Sequence, residues 1–225
     1  MMARDGYSKF LWTLVILKDK HTTMKRTTMM AVLLLLMAGT AVGQVRPFVK
    51  AGIGTSGYWL QNAEGTDMRF SYAVGAGVEI PFRNSRLGIS PSLLFVSKGA
   101  NADESEGVRT KMQMTYLEVP LDLYYRLPLG EKWSLRFAAG PYLSYGVGGT
   151  TKVSGRGYPD LSVNTFDDDG MNRFDCGLNM GFQATFKKFF FGIDYDMGFV
   201  PIHEKSEGLT WPSNLSTLFS VGLYF

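Results

Sequence analysis

From residue 45 onwards, hydrophobic and polar residues alternate one by one in eight separate stretches of the chain. In the last stretch, 214–225, every second residue from Leu215 onwards belongs to a mainly apolar set. A period of two is typical of a β-strand, because successive side chains point to opposite faces of a sheet. The pattern predicts eight strands, at 45–57, 70–82, 86–97, 112–127, 132–147, 172–187, 188–200 and 214–225.

The lengths of these strands and of their connections indicate a transmembrane barrel. Most soluble strands have about five or six residues, whereas a tilted strand needs about 9–11 residues to cross a bilayer. The predicted strands are all long enough to cross. Membrane barrels join an even number of strands by short periplasmic turns and long extracellular loops. The connections alternate in this way, with short turns at 83–85, 128–131 and 187–188 and long loops at 58–69, 98–111, 148–171 and 201–213. The prediction is therefore an all-β protein, an eight-stranded antiparallel up-and-down transmembrane β-barrel over residues 44–225.

The direction of the two faces decides between a membrane barrel and a soluble one. A soluble lipocalin-like barrel would keep its apolar face inside and bind a ligand there. Here the aromatic residues of the apolar face gather near both strand ends and flank a band of smaller apolar residues, as in the girdles of a membrane barrel. The other face combines charges with Gly, Ala and Ser, which suits a narrow lumen. We therefore expect the apolar face to contact lipid.

The predicted lumen face carries charges of both signs. An eight-stranded barrel is only wide enough for side chains to fill it, and an unpaired charge inside it is costly. We therefore expect a network of ion pairs and hydrogen bonds that plugs the lumen, instead of an open pore. Its predicted members are Arg46, Lys50, Glu79, Arg86, Glu118, Asp122, Arg126, Arg136, Arg173, Asp175, Lys187, Asp194 and Asp196.

The residues before the alternating region have a different pattern. Residues 24–43 contain a basic start, a short apolar run and small residues before Gln44, which is the order of parts in a secretory signal peptide. Residues 1–23 are expected to be a start-site artefact or an extended leader. Together these segments predict export, cleavage after Gly43 and a mature barrel of residues 44–225.

Composition supports a sheet and argues against several kinds of chemistry. The sequence holds 26 Gly, 16 Phe and 11 Tyr, and aromatic residues favour strands. Its single Cys excludes an internal disulfide and a cysteine-based zinc site. The net charge of +3, with no basic cluster interleaved with aromatics, argues against nucleic acid. Residues 52–57 spell the dinucleotide-binding pattern GxGxxG, but they lie inside a predicted strand, so we expect no cofactor.

Four short motifs carry a family resemblance. They are Gly52-Ile53-Gly54, Leu117-Glu118-Val119-Pro120-Leu121, Gly140-Pro141-Tyr142 and the terminal Gly222-Leu223-Tyr224-Phe225. With them the chain resembles the PorT-like outer-membrane β-barrel family of Gram-negative bacteria over nearly all of 44–225. The resemblance implies an outer-membrane location, contact with outer-membrane lipid and, during insertion, with the barrel-assembly machinery. The aromatic residue Phe225 resembles the insertion signal of such proteins.

Three functions are open to such a barrel. The first is a non-enzymatic structural or partner-binding role, in which loop 148–171 presents groups such as Tyr158 and Phe166 to an unknown extracellular or periplasmic protein. The second is a narrow porin or a secretion-associated barrel.

The third function is a hydrolase at the outer rim, for which His203 would act with Glu204 and Ser206. A nucleophile needs its base within hydrogen-bond reach, and residues this close along a polar loop more often form a solvated tip. A cation site at Asn164 and Asp167-Asp168-Asp169 is a further hypothesis, although the segment lacks the spacing of a calcium loop. No catalytic or metal-binding residue is therefore assigned.

Overall fold

The computed structural model describes residues 44–59, 66–103, 108–155, 158–166, 171–203 and 212–225. The predicted leader and signal peptide, residues 1–43, lie outside the described residues. Within the described parts, no helix is long and apolar enough to cross a membrane. The described chain forms nine strands: β1 (Arg46–Trp59), β2 (Thr66–Pro81), β3 (Leu87–Asp103), β4 (Val108–Leu129), β5 (Trp133–Gly155), β6 (Tyr158–Asn164), β7 (Phe174–Phe186), β8 (Phe189–Pro201) and β9 (Ser213–Tyr224).

Eight of these strands close into a ring. Their order around the ring is β1, β2, β3, β4, β5, β7, β8 and β9, and every neighbouring pair is antiparallel. The ring closes between β1 and β9, whose register runs from Phe48 opposite Tyr224 to Trp59 opposite Ser213. The predicted eight-stranded up-and-down barrel is confirmed.

Three tight turns lie at the end of the barrel where β1 begins. They join β2 to β3, β4 to β5 and β7 to β8. The backbone of Asn84, Gly130 and Lys187 in these turns has a positive φ of 56°, 82° and 56°. Glycine adopts this left-handed conformation without steric cost and asparagine tolerates it, so these two residues suit their positions.

The opposite end of the barrel differs from the predicted long loops. β3 and β4 continue to Asp103 and Val108, and β5 continues to Gly155, where β6 pairs with it. The loops expected at 98–111 and 148–171 were therefore wrong in extent. Hydrophobic alternation ends where the lipid contact ends, but the backbone ladder continues because β-branched residues such as Thr150, Thr151 and Val153 favour a pleated sheet.

The ring turns its apolar face outwards and its polar face inwards. Ile53, Phe70, Phe219 and Val221 are each more than 60% exposed. Buried polar residues such as Glu118 line the inside. This arrangement is the one expected for a membrane barrel and the opposite of the lipocalin-like alternative.

Two aromatic clusters lie inside the barrel, one at each end. Phe48, Phe190 and Tyr224 pack together at the turn end, with ring centroids 5.0 to 5.9 Å apart. At the other end, Tyr116 and Phe166 pack with Met114 and Ile202. The first cluster therefore lies beside the charged residues of the turn end, where Arg46 pairs with Glu79, and the second covers the charged interior at the opposite end.

Candidate functional site

The turn end of the lumen is organised around the carboxylate of Glu79, which is 1% exposed. Arg126 donates a hydrogen bond to Oε2, and Arg136 Nε lies 3.0 Å from Oε1. Arg46 reaches to 3.9 Å, and the Tyr224 hydroxyl donates to Oε1 at 2.6 Å. Three guanidinium groups therefore share one carboxylate, and this level of the lumen carries a formal excess of positive charge.

The middle level holds a single close ion pair. Lys50 Nζ lies 3.0 Å from Asp194 Oδ2, and both side chains are largely buried. Asp122 and Arg136 line the same space, and the cavity left between them measures about 10 Å³. A cavity of this size has room for about one water molecule, so the filled lumen leaves no wide passage here.

The third level is built around Lys98, whose side chain is fully buried. Its Nζ lies 2.6 Å from Glu118 Oε2, 3.7 Å from Asp196 Oδ2 and 4.2 Å from the centroid of the Tyr142 ring. The ring face is negative and attracts the ammonium group, as the two carboxylates do. Lys98 is therefore held from three sides.

Neutral groups complete this third level by donating to its carboxylates. Asp175 accepts from the Tyr142 hydroxyl and from Asn214 Nδ2, both at 3.1 Å. Asp196 accepts from Asn179 Nδ2 at 2.6 Å and from the Ser216 hydroxyl at 2.9 Å. Three carboxylates thus lie at the level of Lys98, and the formal charge here is negative.

The extracellular mouth is closed by Phe166, which follows β6 and is 7% exposed. Its ring meets Tyr116 edge to face at 6.0 Å. Arg173 lies 4.9 Å above the ring and donates to the Phe166 carbonyl at 3.0 Å. Thr165 donates to the Gln113 carbonyl at 3.3 Å. The expectation that Phe166 is presented to an outside partner was wrong, because an aromatic ring gains more by burial against Tyr116 than by exposure.

The structure brings most of the predicted charged residues together inside the barrel. Ten of them line the lumen: Arg46, Lys50, Glu79, Glu118, Asp122, Arg126, Arg136, Asp175, Asp194 and Asp196. Arg173 holds the mouth segment instead. Arg86 is exposed at a turn with Nη1 3.3 Å from the Tyr125 hydroxyl, and Lys187 is exposed at another turn. Both lie just beyond a strand end, so the alternation that placed them inside does not apply to them.

Sequence reasoning missed Lys98. The predicted third strand ended at residue 97, where its apolar residues stop. Continuing the alternation of Leu94 and Val96, both buried, would have placed Lys98 on the inward face.

The other candidate sites gain little from the structure. His203 forms an isolated bridge with Met171, whereas Glu204 and Ser206 lie outside the described residues. Asn164 accepts a hydrogen bond from the Phe166 amide at 3.2 Å, and Asp167-Asp168-Asp169 also lie outside the described residues. Phe225 is 65% exposed, and its amide donates to the Pro47 carbonyl at 3.0 Å.

Comparison with known proteins identifies the class of barrel. Residues 49–204 match the family described as outer membrane protein beta-barrel domain. No curated protein matches the chain.

Solved structures with a similar fold come from several bacteria. A major outer membrane protein from Thermus thermophilus is 14% identical with a TM-score of 0.48, over 81% of this chain and 100% of that one. Neisserial surface protein A is 8% identical with a TM-score of 0.43, over 82% and 99%. The attachment invasion locus protein Ail of Yersinia pestis is 14% identical with a TM-score of 0.39, over 81% and 100%.

Proposed function

The chain belongs to the outer membrane protein β-barrel domain family, and from this premise we propose that it is a non-enzymatic barrel that binds a partner protein through its extracellular end. Membership of this family supports an outer-membrane location. The proposal includes export by residues 24–43, insertion through the signal at Phe225 and the finer assignment to PorT-like barrels, which rests on the motifs at 117–121 and 222–225.

The single observation that carries this proposal is the filled lumen. Charged residues from at least six strands form ion pairs inside the barrel, and an aromatic cluster packs in the interior near each end. A barrel of this width has no space for solutes once its side chains are in place. Because transport through the lumen is disfavoured, function is left to the surface outside the membrane.

The extracellular extension of β3 to β6 offers such a surface. β6 pairs with β5 along one side, and it ends the strand order of the sheet. Its side chains Leu161 and Val163 are 58% and 37% exposed. An edge strand with exposed apolar residues can pair with an extended segment of another protein, with its backbone groups forming the hydrogen bonds.

Crosslinking in intact cells tests the partner proposal. We expect a variant in which residues 156–170 are replaced by a two-residue turn to lose the crosslinked partner, while the barrel still assembles. A replacement of residues 60–65 at the same end serves as the matched control and should keep the partner. Equal crosslinking by both variants would contradict the proposal.

Planar-bilayer conductance tests the filled lumen separately. We expect no stable large channel, because ion pairs at three levels block the axis. Stable channels of the wild-type protein would favour the narrow-porin alternative, whatever the crosslinking shows.

A further inference from the structure

A row of polar residues crosses the outward face of the sheet at the extracellular end. It lies further from the membrane than the outward-facing aromatic residues of the same strands. Residues directly opposed in antiparallel strands share a face. The row passes through five strands at the paired positions Asp67, Asn101, Lys111, Lys152 and Ser162. On β4, Met112 packs against the cluster at the mouth. Because side chains alternate, its neighbour Lys111 points outwards.

Lys111 and Lys152 lie directly opposite each other in this row. Side chains at such positions are only about 4.5–5.5 Å apart at Cβ, and like charges there destabilise a sheet. Both lysines are exposed, and among the described residues neither forms an ion pair. Arg109, also exposed, is two residues further along β4 on the same face, with Asp103 opposite it in register. Asp67 is two strands, or about 10 Å, from Lys111.

A groove lies on the same face between these cations and the apolar band. It has a volume of about 250 Å³ and is lined by Gln113, Thr115, Thr150 and the backbone of Gly148 and Gly149. Phe95 and Val147 form its lower border, and both are exposed on the lipid side. From the membrane outwards, this surface is therefore apolar, then uncharged and polar, then cationic.

The spacing of these zones matches a lipid. Four residues separate Thr115 from Lys111, which is about 14 Å along the strand. With the usual tilt of about 35–45°, this is roughly 10 Å along the membrane normal, within the depth of a large sugar headgroup and the reach of a lysine side chain.

We propose that Lys111 and Lys152, with Arg109, bind the phosphate of a phosphorylated glycolipid in the outer leaflet. The phosphate lies between the two ammonium groups and turns their repulsion into paired attraction. The sugar occupies the groove, and the acyl chains lie along Phe95 and Val147. The inference rests on the outer-membrane location with the β3–β6 extension outside, and it does not depend on the partner protein.

Native mass spectrometry of the folded barrel in detergent micelles tests this proposal. The probes are bisphosphorylated lipid A, the same lipid without phosphates, and inorganic phosphate. We expect the wild type to retain the phosphorylated lipid about 25-fold better than the dephosphorylated one, since each of the two lysines contributes roughly a factor of five near an anionic lipid. The double variant Lys111→Gln/Lys152→Gln should lose this preference.

Two further variants separate charge from structure. Lys187→Gln/Lys188→Gln removes two exposed lysines at the opposite end and should keep the wild-type preference. Lys111→Arg/Lys152→Arg keeps the positive charge, and this variant should also keep the preference for the phosphorylated lipid. The proposal is overturned if the wild type has no preference for the phosphorylated lipid, if Lys111→Gln/Lys152→Gln binds as the wild type does, or if inorganic phosphate alone displaces the lipid.

Discussion

Lys98 is the residue on which the extracellular half of the lumen depends. Its ammonium group lies between Glu118 and Asp196, and all three side chains are at least nine-tenths buried. A buried ion pair contributes little net stability, because both charges lose their hydration. Removing one partner is different, because the other charge then stays buried without compensation.

The substitution Lys98→Met should therefore destabilise the barrel by about 3–5 kcal/mol. Urea unfolding in lipid vesicles measures the change. The exposed turn residue Lys188 gives the control, and Lys188→Met should change the free energy of unfolding by no more than about 0.5 kcal/mol. Equal stability of Lys98→Met and the wild type would show that the carboxylates find another partner.

Gly140 on β5 marks a close approach between two strands. A Cβ atom there would lie 2.0 Å from the Leu121 carbonyl oxygen and 2.7 Å from Asp122 Cα. Both are backbone atoms, so they move only if β4 moves. Gly140→Ala should destabilise the barrel by about 1–3 kcal/mol in the same urea titration.

Gly148 on the same strand provides the comparison for Gly140. A Cβ atom at Gly148 would meet nothing within 4 Å. Gly148→Ala should therefore be nearly neutral, within about 0.5 kcal/mol. If both alanine variants unfold at the same urea concentration, the close backbone contact is not the reason that the barrel has glycine at position 140.

At the level of elements, the segment after β6 acts as the closure of the mouth. Phe166 packs onto Tyr116, and a Cβ atom at Gly146 would lie 2.4 Å from the Phe166 ring. The absence of a side chain at Gly146 thus makes room for the ring. These contacts hold β6 to the barrel without being part of the ring of eight strands.

Phe166→Ala should release this segment while leaving the ring intact. We expect faster proteolysis between residues 156 and 170, and faster amide exchange in 158–166, because local opening costs less than global unfolding. Leu161→Ala, at an exposed position of the same element, should change neither rate. Global unfolding of Phe166→Ala at much lower urea would contradict a local role.

The alternation of the sequence predicts the lipid-facing part of each strand well, because apolar side chains there must face the bilayer. It fails where the outward side chains are no longer apolar, so β6 and the outer parts of β3, β4 and β5 were not predicted. It also places most of the luminal charges, since they occupy the inward positions of the same strands. It could not predict Phe166, whose burial depends on a contact between distant segments.

The whole barrel separates its charges along its axis. Around Glu79 three arginines meet one carboxylate, and around Lys98 three carboxylates meet one ammonium group. A buried excess of one sign is costly, so each level needs the strands of the complete ring to supply its hydrogen-bond donors and acceptors. The interior therefore stabilises the closed ring as a unit.

Electrophoresis provides a test at this scale. Without boiling, the protein in sodium dodecyl sulfate should migrate as a compact band ahead of the boiled form, because a closed ring exposes no strand edge to the detergent. Lys98→Met should lower the temperature at which the compact band disappears. A single mobility before and after boiling would contradict a closed ring.

The seam between β1 and β9 has a consequence for how the polypeptide matures. These strands stand at opposite termini of the barrel domain, yet they share twelve paired positions. Before β9 pairs with β1, the incomplete sheet has two unpaired strand edges, and each can form hydrogen bonds with another polypeptide. Assembly must therefore shield these edges until insertion and complete the pairing of β1 with β9 inside the membrane.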